Sequence, residues 1–353
     1  MKISLFAVSV VASSVVLAGP ALAQLSPGTT TNTTVSTAPT ASAQSTVVSS
    51  GIQSQSNTTA YVTLPGISSV IQQTLLGPKL VGPRAGAELS PMNGGPGHSG
   101  VSAGDDPWGW QAWIQGGGGN TVNSLATGGY NIANYGTQLG LQAQITPKFL
   151  FGVSGSWQGS NGTLNGGFSS TNSTFGVTAY AGWQFNENWN ASAMAGYSGG
   201  SSSLTNSTSN YSASYGNSQW NFQGGLNGYY KVGAVVLAPM VSILYSPINS
   251  FGYTDSNLVV VPGQTTSLTR GSAGGFISLP LEKWQPYVRA TIEQDFAMPT
   301  GSAPNGSTGG TVGVGATIPL TDSLWASIDG GYNSIGRVAL SSWSGSARLS
   351  LRF

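Results

Sequence analysis

From residue 108 onward, apolar and polar side chains change places at every second position, stretch after stretch, the period that sends one set to each face of a β-strand. The last stretch, WSGSARLSLRF, is the clearest. Trp343, Gly345, Ala347, Leu349, Leu351 and Phe353 fall on one face; Ser344, Ser346, Arg348, Ser350 and Arg352 fall on the other. Leucine and phenylalanine need an apolar surface while the arginines behind them need water. A closed barrel in lipid, apolar outside and polar inside, satisfies both.

The same alternation predicts eleven further strands. The first is WQAWIQG after Gly109, followed by a glycine-rich loop at Gly116 to Gly119. Outward rows then run Tyr135 to Ile145, Phe149 to Trp157, Phe175 to Phe185, Trp189 to Tyr197 and Trp220 to Tyr230. VVLAPMVSILY is a seventh strand of ambiguous register, because both of its faces are apolar. Leu268 to Leu279, Val288 to Phe296, Val312 to Ile318 and Leu324 to Tyr332 complete the set before the terminal strand. The fold class is therefore all-β, a transmembrane antiparallel barrel of about 12 strands, each near the ~9 to 11 residues that cross a bilayer at a tilt. Short turns at 146–148 and 186–188 are expected in the periplasm, and polar loops at 159–173, 199–217, 246–266 and 297–309 outside. Trp183, Trp189 and Trp284 flank the short turns, where an aromatic belt meets headgroups. A soluble β-sandwich has no need for charged and glycine-rich faces opposite uninterrupted oily ones.

Residues 1–23 read as a signal peptide: Lys2, the apolar run ISLFAVSVVASSVVLAG, and Ala21-Leu22-Ala23 before Gln24. That run is short for an anchor helix, which needs ~20 apolar residues. Residues 24–106 form a low-complexity short passenger or linker, mostly disordered: the stretch to about Ala60 is almost only Ser, Thr, Ala, Gln, Asn, Val and Gly, too polar to offset its conformational entropy by burial. Within it Leu64, Ile67, Val70, Ile71, Leu75 and Leu76 keep helical spacing, with Gln72 and Gln73 on the polar side. Gly77 to Pro107 carries Pro78, Pro83, Pro91, Pro96 and Pro107 and reads as linker. The barrel occupies 107–353.

Composition narrows the function. Only 6% of residues are charged at a mean hydropathy of +0.03, and 52 glycines coexist with ten tryptophans, a mixture that suits small residues in crowded strands and aromatics at interfaces. The absence of cysteine excludes thiol chemistry, and a net charge of +1 implies no nucleic-acid partner. His98, the one histidine, lies in the linker GGPGHSG, so the barrel has no imidazole to activate a nucleophile or water, and barrel hydrolases are excluded. Gly116 to Gly119 lacks the Lys-Ser/Thr of a phosphate loop, and Asp105-Asp106 before Pro107 reads as a solvated turn rather than a Ca²⁺ site. No catalytic, cofactor-binding or metal-binding residues are identified. What remains is the lumen, to which the register assigns Arg270, Arg289, Glu293, Asp295, Asp329, Arg348 and Arg352. These either pair across strands to hold the wall closed or line a hydrated path that grips a transiting peptide.

Residues 108–353 resemble the translocator domain of autotransporters, the type V secretion family. The resemblance is carried by WGWQAWIQGGGG at the start, by PLTDSLWASIDGGY with Leu320, Thr321, Asp322, Leu324, Gly331 and Tyr332, and by the terminal LSLRF. It implies a twelve-stranded barrel in the bacterial outer membrane, a signal peptide, and an N-terminal passenger carried through or beside the lumen to the cell surface. The implied partners are outer-membrane lipid, periplasmic chaperones and the barrel-assembly machinery, which would read Leu349, Leu351 and Phe353; no surface ligand is indicated. Family passengers are usually long β-helices or enzymatic domains, whereas here only residues 24–106 precede the barrel. The family also threads a helix through the pore just ahead of the first strand. In this chain that stretch is Gly and Pro rich and the helix candidate lies well upstream, so an extended linker, Gly77 to Pro107, is expected in the lumen instead. The expected function is secretion or surface display of the chain's own short N-terminal segment. The alternative is a porin-like channel or structural barrel with a periplasmic N-terminal tail.

Overall fold

The computed structural model describes residues 64–75, 109–126, 128–299 and 305–353. Twelve long strands follow one another: β1 Gly109–Asn123, β2 Tyr130–Thr146, β3 Phe149–Leu164, β4 Phe168–Gln184, β5 Trp189–Asn206, β6 Tyr211–Gly228, β7 Val235–Ser250, β8 Gln264–Ser278, β9 Gln285–Ala297, β10 Thr308–Pro319, β11 Leu324–Ile335 and β12 Leu340–Arg352. Each pairs antiparallel with its sequence neighbours, and β12 returns to β1 from Gln111↔Arg352 to Asn123↔Leu340. Phe353 locks this seam, its backbone N–H donating to the Trp110 carbonyl at 3.0 Å and its carbonyl accepting from the Trp110 N–H at 3.2 Å. Closure leaves no strand edge unpaired, which lipid requires. Three short pieces stand outside the ring: Tyr230–Val232 pairs with the start of β7, and Tyr253–Thr254 with Val260–Val261.

The twelve strands are where the alternation puts them, but many are longer than expected. Those around the β3–β4 and β5–β6 connections run 16 to 18 residues. The polar stretches 159–173 and 199–217 are therefore strand rather than loop, turning only at 165–167 and 207–210. Gly116 to Gly119 likewise lie inside β1, paired with β12 on one side and β2 on the other. A Cβ at Gly117 would come within 2.8 Å of the Gly345 carbonyl and at Gly118 within 2.7 Å of the Asn134 carbonyl, so glycine here permits close strand approach.

A repeated interval fixes the membrane zone. On β2 the outward row runs from Tyr135 to Ala143, on β4 from Phe175 to Trp183, on β5 from Trp189 to Tyr197, on β12 from Trp343 to Leu351. Eight steps at ~3.3 Å give ~26 Å along a tilted strand, which with the terminal rings fits the ~25 Å apolar band of such barrels. Within it apolar side chains face out, Val177 being 66% exposed, while Gln138, Gln142 and Ser154 point inward and are buried.

Beyond the aromatic row farthest from the chain ends the chemistry turns over. Asn131, Asn161, Thr163, Ser169, Thr171, Ser201 and Thr205 are now exposed outside, and Tyr130, Ile132, Leu164, Phe168, Leu204, Tyr211 and Ile248 are buried inside. The period is unbroken; only the solvent on the outer face has changed. Tyr253 joins this inner cluster, stacked on Tyr215 at 5.3 Å and within 3.4 Å of the Tyr211 hydroxyl. Burial, reinforced by Tyr211 and then Asp255, holds the Tyr253 phenol well above its ordinary range.

Candidate functional site

The lumen holds a helix. α1, Leu64–Leu75, takes the spacing of Ile67, Val70, Ile71 and Leu75 and buries all four side chains in one cluster with Trp113, Leu150, Tyr180, Met194, Leu244 and Leu268, inward residues of β1, β3, β4, β5, β7 and β8. An extended linker is not what the described residues place there; Gly77 to Pro107 lies outside them. The helix is favoured because this part of the lumen wall is apolar and Ile67, Val70, Ile71 and Leu75 bury against it. Glycine makes the seat. A Cβ at Gly182 of β4 would lie 2.5 Å from Ile71 Cγ2 and 2.8 Å from Leu75 Cδ1, so the helix packs directly onto bare strand backbone. The rings of Trp113 and Tyr180 likewise cover Gly140 and Gly152 on the strands beside them.

Polar groups then set the helix in register. Trp113 Nε1 donates to the Tyr180 hydroxyl at 2.9 Å, and that hydroxyl donates to Gln142 Oε1 at 3.1 Å. Gln142 Nε2 donates to Thr74 Oγ1 at 2.8 Å and to Gln111 Oε1 at 3.0 Å. Arg348 Nη1 donates to Ser69 Oγ at 2.6 Å, and Gln223 Nε2 to Ser68 Oγ at 3.4 Å. Thr74 thus sits at the level of Gln111 and Ser69 at that of Arg348, which pairs with Gln115 farther along β1. The C-terminal end of α1 therefore lies nearest the end of the barrel where β1 begins and β12 finishes.

The seven charged positions divide into three groups. Arg270 Nε donates to Asp295 Oδ1 at 2.6 Å and Arg270 Nη1 lies 3.2 Å from Glu293 Oε2, and all three side chains are buried. A fourth member, Arg337, comes from the β11–β12 turn: Nη1 donates to Asp295 Oδ2 at 2.8 Å and Nη2 to Glu293 Oε2 at 3.4 Å. Two arginines and two carboxylates balance, as burial demands. The second group is Arg289 Nη2 donating to Asp329 Oδ1 at 2.7 Å, with the Tyr287 hydroxyl on Oδ2 at 2.9 Å. Arg348 reaches the helix while lying in the field of Asp329 and Tyr287, and Arg352 Nη2 donates to Gln144 Oε1 at 3.0 Å. β10 supplies floor space for the large side chains, since Gly309 underlies Arg337, Gly313 underlies Arg289 and Gly315 underlies Tyr287. Leu349, Leu351 and Phe353 are exposed on the outer wall, at the seam. Sequence reasoning missed Arg337 and the inward Trp113 and Tyr180. The small residues facing each of them, Gly309, Gly140 and Gly152, are the signal that could have found them.

The arrangement binds a peptide helix and holds a charged wall closed. Among the described residues no group of His, Cys, Asp and Glu could hold a metal ion. Substituting Gly182 by Leu is expected to unseat α1, read in planar bilayers as conductance above that of the parent protein. A variant as closed as the parent would show that α1 does not depend on this contact.

A family model for the autotransporter β-domain matches residues 112–341. No curated protein matches the chain. Among solved structures, the fold is similar to the translocator domain of the autotransporter NalP from Neisseria meningitidis, with a TM-score of 0.59 and 17% identity over 69% of this chain and 89% of that one. The transport unit of AIDA-I from Escherichia coli gives 0.58 and 16% over 69% and 90%. The β domain of the Bordetella autotransporter BrkA gives 0.58 and 17% over 70% and 100%.

Proposed function

Since the chain belongs to the autotransporter β-domain family, and its barrel is one of the outer membrane, we propose that this barrel carries its own N-terminal segment outward and displays it at the cell surface. The observation that carries the reading is α1 itself. Its C-terminal end lies near the start of β1 and its N-terminal end points up the lumen, the direction a segment preceding residue 64 would take to leave the cell. On this reading the end holding the start of β1 and the end of β12 is periplasmic, and the end beyond the far aromatic row is outside. Residues 1–23 are removed on export, periplasmic chaperones deliver the chain, and the barrel-assembly machinery reads the outward row Leu349, Leu351 and Phe353.

The porin-like alternative is disfavoured by the same helix, whose apolar face is spent on the lumen wall instead of leaving an open aqueous path. An epitope tag inserted at Thr40 tests the proposal. Labelling of the tag by antibody on intact cells is the expected result. A tag that reacts only after the outer membrane is permeabilised would place the segment in the periplasm and overturn display.

A further inference from the structure

Charge is sorted between the two ends of the barrel. The exposed ionic side chains Lys148, Glu187, Lys231, Glu282, Lys283 and Asp322 all lie in the connections at the end assigned to the periplasm, Lys231 on the short strand Tyr230–Val232. At the opposite end Asp255, Arg270, Glu293, Asp295 and Arg337 are each buried. Among the described residues none with a formal charge is exposed there, and Thr127 and residues 300–304 add no charge in sequence. This wall continues past the apolar band by about the length of residues 157–164 on β3 and 197–206 on β5. It therefore crosses the layer in which the headgroups of the outer leaflet stand.

A wall that meets phosphate or carboxylate headgroups is held to them by the lysines and arginines near the surface. This one offers none. It offers instead a face of hydroxyls and amides on β3, β4 and β5: Asn161, Thr163, Ser169, Thr171, Ser201 and Thr205, all exposed. Ser, Thr and Asn both donate and accept, which is what a sugar hydroxyl needs to recover the hydrogen bonds it gives up with water. The groups repeat at ~4.8 Å across strands and ~6.6 Å along them, a grid on the scale of a pyranose ring. Below it Tyr135, Trp157 and Tyr197 form a row of exposed rings, flat apolar faces of the kind that cover the C–H face of a sugar. Cross-strand bonds hold the grid in place: Asn161 Nδ2 donates to the Tyr135 hydroxyl at 3.1 Å, Trp157 Nε1 to Ser173 Oγ at 3.2 Å, and the Thr171 and Ser203 hydroxyls lie 2.6 Å apart.

We propose that the Ser, Thr and Asn face of β3–β5 docks the uncharged saccharide headgroups of glycolipids in the surrounding outer leaflet. The proposal rests on the orientation given under Proposed function. Two measurements separate them. The full chain is equilibrated in mixed micelles with equal digalactosyldiacylglycerol and phosphatidylglycerol, and the lipid retained by folded protein is read by native mass spectrometry. Enrichment of the neutral glycolipid by about fivefold or more is expected, with a fall to near parity in the Asn161→Ala/Thr171→Ala variant, whose heat-modifiable migration reports folding. Equal retention of the two lipids, or enrichment that survives in the folded variant, overturns the proposal. The chain has no cysteine, so Ser207→Cys, exposed in the turn 207–210 beyond the docking face, gives a clean orientation reporter. Reaction with a membrane-impermeant maleimide on intact cells supports the orientation, whereas protection overturns both the orientation and the saccharide surface.

Discussion

Replacing Asp295 by Ala is expected to destabilise the folded barrel by about 3–5 kcal/mol, the range for removing one partner of a buried ion pair. Asp295 accepts from Arg270 through both oxygens and from Arg337 through Oδ2, and all three groups are shielded from water. Its loss leaves two guanidinium groups to share Glu293 in a low-dielectric interior. Asn keeps the size and one acceptor oxygen but not the charge, so Asp295→Asn should fall between Ala and the parent. The measurement is the urea midpoint of the transition between heat-modifiable and unfolded migration on gels. Parent-like midpoints for both variants would mean that the four-membered cluster contributes nothing to closure.

The second large effect concerns the lipid face. Ala179→Arg on β4 is expected to cost about 2–4 kcal/mol, because the side chain leaves the outer wall midway between Phe175 and Trp183. Arg at the adjacent Thr178, which points inward, should be tolerated far better. Folding yield into phosphatidylcholine vesicles, measured for both variants at the same denaturant concentration, checks the pair. Equal losses at the two positions would show that the faces are misassigned.

The rows that face lipid were readable because a single physical demand, contact with hydrocarbon, acts on every second residue from Val177 to Trp183 or from Phe149 to Trp157. Where that demand ends, the reading failed. In 159–173 and 199–217 the outer face has left the hydrocarbon, and Asn161, Thr171 and Ser201 carry the composition of a loop although the backbone remains a strand. The inward residues Leu164, Phe168, Leu204, Tyr211, Ala213 and Tyr215, one position out of step with the exposed polar residues, preserve the alternation, but they are sparse among the glycines and serines around them. The helix was legible from Ile67, Val70, Ile71 and Leu75, but its place was not. Its partners Trp113, Tyr180 and Met194 are remote in sequence and share no period with it. Arg337 was hidden for a similar reason: nothing local to a turn residue says that the turn tucks its side chain into a distant carboxylate pair.

The position of α1 has a thermodynamic corollary. Its C-terminal end and the start of β1 meet around Gln111, yet residues 76–108 separate them in sequence. The helix therefore stands to the barrel as a ligand on a leash, and its occupancy follows from the ratio of its intrinsic dissociation constant to an effective concentration of roughly 1 mM. A constant near 10 μM would keep the seat filled about 99% of the time, and a loss of 2.7 kcal/mol, about a hundredfold, would empty it half the time. Substitutions in the seat are then graded like those of any receptor, and a synthetic peptide spanning Leu64–Leu75 added in excess of that concentration would compete for the same groove.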